Sequence, residues 1–365
     1  MLKYHIALIR AIDLAGMARD AEQGKCPRHI MWQLSQRLGA TIHKPAGNPV
    51  QLIDKIRGKL GSNIPEQWAL GRALSEKLTS EDLIFCPGED VGYPVAAVCG
   101  AKRDRPKIVV IVHNSDRPRT RLSLKLYGLA DKIDLFITPA RLQADFLRRY
   151  LNLPAEKIWL LPDQTDVKFF TPGFPSPQKQ RPMVMSVGLE QRDYLTLAEA
   201  TKDLDIDVKI SGFSTAKLKE EYARPKSRRF PKVLPENMSC QFYEWPDLVQ
   251  LYRDADIVVI SLVENKFAAG IQVMHEALAC GRPVIISRTQ GMSQYLETPG
   301  IVTTFEPGDV GGLRSAILHL LKNPQEAEAQ AQRGRELVLQ ERNSDRFVES
   351  LANRLIQIGS EINNH

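Results

Sequence analysis

The sequence predicts an α/β protein made of two Rossmann-like, doubly wound domains followed by a helical C-terminus. Three observations predict it. Short apolar runs alternate with amphipathic segments along the chain, which is the pattern of buried parallel strands and crossover helices. A proline-rich stretch interrupts that alternation near the middle. The 365 residues, 43% of them hydrophobic, are enough for two cores.

In chain order, the first series of strands is expected at His5–Ile9, Ala40–His43, Leu83–Cys86, Ile108–His113, Leu135–Thr138 and Ile158–Leu161. Amphipathic segments such as Ala21–Leu38 and Arg141–Leu151 lie between them. A second series follows at Met183–Val187, Val208–Ser211, Gln241–Tyr243, Ile257–Ile260, Val284–Ser287 and Ile301–Thr303. Between the two, residues 170–182 carry four prolines and read as a stiff linker. We therefore expect a first domain over 1–168, a linker over 169–182 and a second domain over 183–343. A final helix over 344–365 is expected to cross back to the first domain.

Composition narrows the function classes. No run of about 18 apolar residues is present, so no spanning helix is expected. The N-terminus reads as a first strand and not as a signal peptide. Five scattered cysteines, without a CxxC pair, fit a reducing cytoplasm. The net charge of +6 is uneven: residues 1–165 hold 25 Lys/Arg against 17 Asp/Glu. A basic first half suggests an acidic partner. Neither domain carries GxGxxG after its first strand, where Arg10–Gly16 offers one glycine, so a nicotinamide dehydrogenase is disfavoured. There is no Walker loop and no metal-ligand cluster, and no resident cofactor is expected.

One stretch, from Lys266 to Ile285, is the most informative. It reads as a small-residue loop, a short helix, a glycine stop and a buried strand. Ala268, Ala269 and Gly270 let backbone N–H groups approach a ligand where a helix N-terminus offers partial positive charge. Glu276 lies on the second turn, its side chain leaning back toward that terminus. A phosphate cradle beside a carboxylate suits a nucleotide, with diphosphate on the amides and ribose hydroxyls on the acid. Ile271, Met274 and Leu278 follow helical spacing and belong to the core, and His275 is read as packing. Arg192 follows Gly188 at the carboxyl end of Met183–Val187, where open α/β sheets bind ligands, and its guanidinium can fork onto a diphosphate.

With these residues the chain resembles glycosyltransferase family 4 (glycosyl transferases group 1), retaining enzymes of GT-B architecture with two lobes facing a central cleft. Matching stretches run from about His113 to Leu320, among them Leu161–Phe170, Ser186–Tyr194 and Ala255–Val259. The resemblance implies a donor nucleotide on the second lobe, with Glu276 on the ribose and Ile271 and the loop before it at the phosphates. It implies base contacts from Gly212, Phe213, Ser214, Glu244 and Trp245, and a hydrogen bond from His113 to the donor sugar. Family members carry two glutamates in an E-x7-E pattern, and the first of these falls on Ala268, so the usual sugar contact is missing. Glu264 is the nearest acid that a loop shift could bring in its place.

Glu89, Asp90 and Asn114 lie after first-domain strands and are placed on the acceptor side. Asp254-Ala-Asp256 mimics a metal-binding DxD, but it sits where a helix becomes a buried strand, and no metal is expected there. Arg117–Leu129 and Val50–Leu60 combine cationic and apolar residues and suggest contact with an anionic membrane. Nucleic acid is not an expected partner. The expected activity is metal-independent, retaining transfer of a sugar from a nucleoside-diphosphate donor to a glycan, lipid-linked or small-molecule hydroxyl, in the cytoplasm or at the inner membrane face. The alternatives are a GT-B sugar-nucleotide epimerase or hydrolase, and a non-catalytic sugar-nucleotide-binding protein.

Overall fold

The computed structural model describes residues 2–61, 64–212 and 229–362. Contacts divide the chain into two units: Met1–Arg19, Arg28–Pro162 and Phe347–His365 form the first, Asp20–Pro27 and Asp163–Arg346 the second.

The first unit holds strands β1 (Lys3–Ala7), β2 (Thr41–His43), β3 (Asp82–Cys86), β4 (Lys107–Ile111), β5 (Leu135–Thr138) and β6 (Ile158–Leu160). They form one sheet in the order β2-β1-β3-β4-β5-β6, every pair parallel. Successive side chains alternate between two cores because strand side chains have period two. Ile84, Cys86, Ile108 and Val110 join one core, and Leu83, Phe85, Val109 and Ile111 the other. The second of these cores also takes Phe347, Val348, Leu351, Ala352, Leu355 and Ile358 from the final helix, Ser344–Ile362. Their helical spacing makes one apolar stripe, and that stripe covers the sheet.

The second unit holds β7 (Met183–Val187), β8 (Asp207–Gly212), β9 (Met238–Phe242), β10 (Ile257–Ile260), β11 (Val284–Ser287) and β12 (Thr303–Phe305). Their order is β12-β11-β10-β7-β8-β9, again all parallel. The chain reverses its direction of travel across the sheet between β7 and β10. From those two adjacent strands the chain continues toward opposite edges of the sheet, which makes their carboxyl ends the topological switch point of a doubly wound sheet, where ligands bind.

The fold expected from the sequence, two doubly wound parallel units with a helical C-terminus, is the fold observed. Two elements differ: β12 covers Thr303–Phe305 where Ile301–Thr303 is expected, and one expected helix is divided. The expected segment Ala21–Leu38 is two helices, Leu14–Glu22 and Ile30–Leu38. Gly24, at φ 70°, and Pro27 lie between them, and each interrupts a helix for a backbone reason. The proline-rich stretch is tied down within the second unit: Arg253 donates to the Thr171 carbonyl at 3.1 Å, and Ser176 and Lys179 donate to Asp254 and Asp256.

Candidate active site

The crevice of the second sheet is a cavity of about 370 Å³. Its residues come from four strand ends: the loop after β7, the ends of β8 and β9, and the long loop after β10 with the helix Ile271–Ala279 that follows it.

The loop after β7 is fastened to the loop after β10 by backbone bonds. Asp193 N donates to Ser261 O at 2.9 Å and Val263 N to Gln191 O at 3.0 Å. Between these anchors Arg192 turns inward and is 5% exposed. Its Nε donates to Val187 O and its Nη1 to Glu190 O, both at 2.9 Å. Burial pulls its pKa down from the usual guanidinium value, opposed by the nearby Tyr194, Tyr252, Glu190 and Glu276. An arginine stays cationic through such a shift. Among the described residues Nη2 has no protein acceptor, so one N–H face of the cation is left for a ligand.

Directly above it stands the start of the helix Ile271–Ala279. Gly270 caps that helix at φ 83°, a backbone conformation side-chain-bearing residues avoid. A Cβ there would lie 2.6 Å from Ile260 Cγ2 and 3.6 Å from both terminal nitrogens of Arg192. The absent side chain is thus what lets the helix N-terminus seat against Ile260, with the guanidinium at contact distance beside it. The first intrahelical bond runs from Met274 N to Gly270 O, so the amides of Ile271, Gln272 and Val273 precede the helix's own acceptors. All three residues line the cavity. Three such amides, the helix dipole and a buried cation make a site for an anion.

Glu276 lies one turn further along. Its side chain is almost fully buried and Oε2 accepts from the Tyr252 hydroxyl at 2.7 Å. Burial raises its pKa to about 7 against the opposing pull of Tyr252, Gln272 and Arg192. Tyr252 is itself pushed well above the usual phenol range, chiefly by burial, and it remains a hydroxyl donor. A carboxyl group held this way keeps one oxygen engaged and offers the other to a hydroxyl-bearing ligand.

The remaining wall is aromatic and backbone. Phe242 ends β9, Tyr243 and Glu244 follow it and Trp245 opens the next helix, with Ser211 and Gly212 at the end of β8 and Phe267 in the loop opposite. Phe242 and Trp245 are 36% and 40% exposed, flat apolar surfaces at the cavity that can stack on a ring.

The structure therefore brings together Arg192, Gly212, Glu244, Trp245, Ala268, Ala269, Gly270, Ile271 and Glu276, which are spread over 85 positions of chain. Gly188 is adjacent to the wall and does not line it; its N–H donates to Ser211 O at 2.8 Å and its carbonyl accepts from the Tyr194 hydroxyl. Phe213 and Ser214 lie outside the described residues. Glu264 does not stand in for the missing acid at Ala268: its Oε1 accepts from Gln290 N at 3.0 Å, and it is absent from the lining. His275 packs against Tyr295 in the core, away from the cavity. Asp254 and Asp256 are spent on Ser176, Gln250, Lys179 and the amide of Met183.

Sequence reasoning missed Tyr252, Tyr243, Phe267 and Gln272. A signal existed for Tyr252. It lies four residues after Leu248 on the buried face of the helix Trp245–Asp254, and a phenol on such a face needs a hydrogen-bond partner.

In the first unit, His113, Asn114, Glu89 and Asp90 cluster at the ends of β3 and β4. The Glu89 carboxylate accepts from the amides of His113 at 3.0 Å and Asn114 at 2.9 Å. Glu89 thereby holds the loop that presents the His113 ring. Asp90 has its pKa raised by burial and by Glu89, with Arg117, His113 and Arg10 opposing.

Residues 195–353 match the family model described as "Glycosyl transferase-like", a little under half of the chain. Comparison with curated proteins gives no match. Among solved structures, sucrose-phosphate synthase from Thermosynechococcus elongatus superposes with a TM-score of 0.70 at 17% identity, over 98% of this chain and 100% of that one. HepE from Anabaena, solved in complex with UDP-glucose, gives 0.68 at 15%, over 97% and 99%. A glycosyltransferase from Rickettsia africae gives 0.65 at 13%, over 99% and 98%. At these identities the likeness is one of fold, and the fold is the two-sheet GT-B architecture.

Proposed function

We propose that the chain is a glycosyltransferase that moves a sugar from a nucleoside-diphosphate donor to an acceptor hydroxyl, with retention of anomeric configuration. The observation that carries this is the cavity at the switch point of the second sheet. There the buried Arg192 guanidinium, the first-turn amides of Ile271–Ala279 and the Glu276 carboxyl converge beside an aromatic wall. The diphosphate lies on the amides and Arg192 Nη2, the ribose hydroxyls on Glu276, and the base against Phe242, Tyr243 and Trp245.

In transfer, the bond from the anomeric carbon to the β-phosphate oxygen breaks and a bond to the acceptor oxygen forms on the same face. The acceptor proton passes to the departing phosphate. Charge that develops on that phosphate meets a cation and dipoles already in place, which is where most of the acceleration arises. We propose that this charge set makes a divalent cation unnecessary. His113, held by Glu89, is proposed to contact the donor sugar, with Asp90 and Asn114 on the acceptor side. HepE was solved with UDP-glucose, which supports a uridine nucleotide as the first donor to try. We place the protein in the cytoplasm, where nucleotide sugars and reduced cysteines such as Cys26, Cys86, Cys99 and Cys280 coexist.

The test is a thermal-shift and calorimetric panel of UDP, GDP, ADP and their sugars, because a ligand of the native state raises its melting temperature. A bound nucleotide sugar is then followed for nucleotide release with and without hydroxyl acceptors in excess EDTA. Binding of no nucleotide overturns the assignment, and release that needs added metal overturns the metal-independent mechanism. Ala268, where the family's acid would stand, favours one second reading, a sugar-nucleotide-binding protein that turns nothing over. Donor binding with no release under any acceptor would establish it.

A further inference from the structure

The first unit carries a surface feature that donor chemistry does not use. Two helices, Leu52–Gly61 and Pro118–Leu126, pack side by side. Leu52 is 75% exposed, Ile56 48%, Leu122 52% and Leu126 56%, and Ile53 is also exposed. Five of the fourteen large exposed hydrophobics among the described residues thus fall on two short helices, which is clustering and not the usual scatter.

Cations flank them. Lys55 and Lys59 share the exposed arc with Leu52 and Ile56, since at 100° per residue the four span less than half of the helix. Arg119 and Lys125 flank Leu122 and Leu126 in the same way. Among the described residues no ion pair engages Lys55, Lys59, Arg119 or Lys125. The acids that could neutralise the surface are spent. Asp54 is buried and accepts from Arg72 at 3.0 Å, and Asp116 is paired with Arg121. The charged heads of Lys125 and Arg121 lie over the Tyr150 ring, 4.6 and 5.7 Å from its centre, and the ring face holds both cations at this surface.

We infer that this face docks on an anionic lipid bilayer, with Leu52, Ile56, Leu122 and Leu126 entering the headgroup–acyl boundary and the lysines and arginines meeting lipid phosphates. Apolar side chains interleaved with unpaired cations fit that occupant. A protein partner would leave the cations to find matching acids, and a nucleic acid would leave the leucines and isoleucines exposed. No helix among the described residues is long and apolar enough to cross a membrane, so the contact is peripheral. The helix Pro118–Leu126 starts just after the His113–Arg117 loop. A docked bilayer would therefore hold a lipid-borne acceptor close, along the chain, to the cluster at His113.

The test is flotation of the full-length protein with vesicles of phosphatidylcholine alone or mixed with phosphatidylglycerol, at low and high salt. Binding to the anionic vesicles, lost on phosphatidylcholine and weakened by salt, is expected. Each cation near such a surface contributes about fivefold, so Lys55→Glu with Lys59→Glu should weaken partitioning at least about 25-fold. Leu52→Ser with Ile56→Ser should weaken it at unchanged charge. Both variants should keep their far-UV circular dichroism and their nucleotide affinity, which separates this proposal from the donor-site assignment. No flotation at low salt, equal flotation on phosphatidylcholine, unchanged flotation of the charge-reversed variant, or retention only on RNA would each overturn it.

Discussion

Replacing Glu276 by glutamine should move stability and affinity in opposite directions. Burial holds the folded carboxyl at about 7, above the ordinary 4.5. The folded state therefore binds more protons than the unfolded chain between those values, and stability falls as pH rises through that window. At about 1.4 kcal/mol per pH unit, ionising Glu276 costs the folded protein roughly 3 kcal/mol at pH 8. Glutamine keeps the volume, and its amide oxygen can still accept from Tyr252, which bonds Glu276 at 2.7 Å. It does not titrate. The unliganded variant should melt at the wild-type temperature at pH 5 and several degrees higher at pH 8. The same change removes a charged acceptor from the ribose. A hydrogen bond to a charged group is worth about 1.5–3 kcal/mol, so nucleotide affinity at pH 8 should fall roughly 10- to 150-fold. Differential scanning calorimetry of the unliganded protein and titration calorimetry with UDP across pH 5–8 measure both. A variant that is less stable at pH 8 and binds nucleotide as well as wild type would refute the reasoning.

Three further outcomes are expected. Arg192→Ala should weaken diphosphate binding more than tenfold by titration calorimetry, and Arg192→Lys should recover little of it. A lysine offers a single nitrogen, which cannot reproduce the spread of a guanidinium that bonds Val187 O from Nε and Glu190 O from Nη1 and still presents Nη2 to a phosphate. Gly270→Ala should cost about 1–3 kcal/mol in denaturant unfolding, because φ is 83° and the new Cβ would meet Ile260 Cγ2 at 2.6 Å; nucleotide affinity should fall with it. His275 is buried with neither ring nitrogen bonded among the described residues, and burial lowers its pKa to about 3. The unfolded chain then binds the extra proton below about 6.5, so stability falls with pH there. His275→Leu should unfold at higher urea than wild type at pH 5, by roughly 2 kcal/mol, with a smaller gain at pH 8.

Much of the second unit's chemistry could be read from local pattern. Gly270 ahead of an apolar helix, and Gly281 with Pro283 after it, mark a short helix between a loop and a buried strand. The position of Glu276 on its second turn follows from counting. What counting could not show is the company it keeps. Tyr252 is 24 residues away, and it reaches the carboxylate only because the helix Trp245–Asp254 packs where it does. Glu264 looked available in the sequence, yet it is turned to Gln290 N by the loop's own geometry. Glu89 was placed on the acceptor side by its position after a strand, and the structure shows its carboxylate already bonded to the amides of His113 and Asn114.

By itself the sequence determined the class of fold, two doubly wound units, because apolar period and length are local properties that backbone geometry converts into strands and helices. It also determined where backbone freedom is required, at Gly270. Tertiary structure alone decided the order of strands, β12-β11-β10-β7-β8-β9, and hence that the loops after β7 and β10 are neighbours. That adjacency sets Arg192 beneath Gly270 and closes the cavity around Glu276. Burial then decided the protonation of Glu276, since desolvation depends on what surrounds a carboxyl group and no residue type carries that information alone.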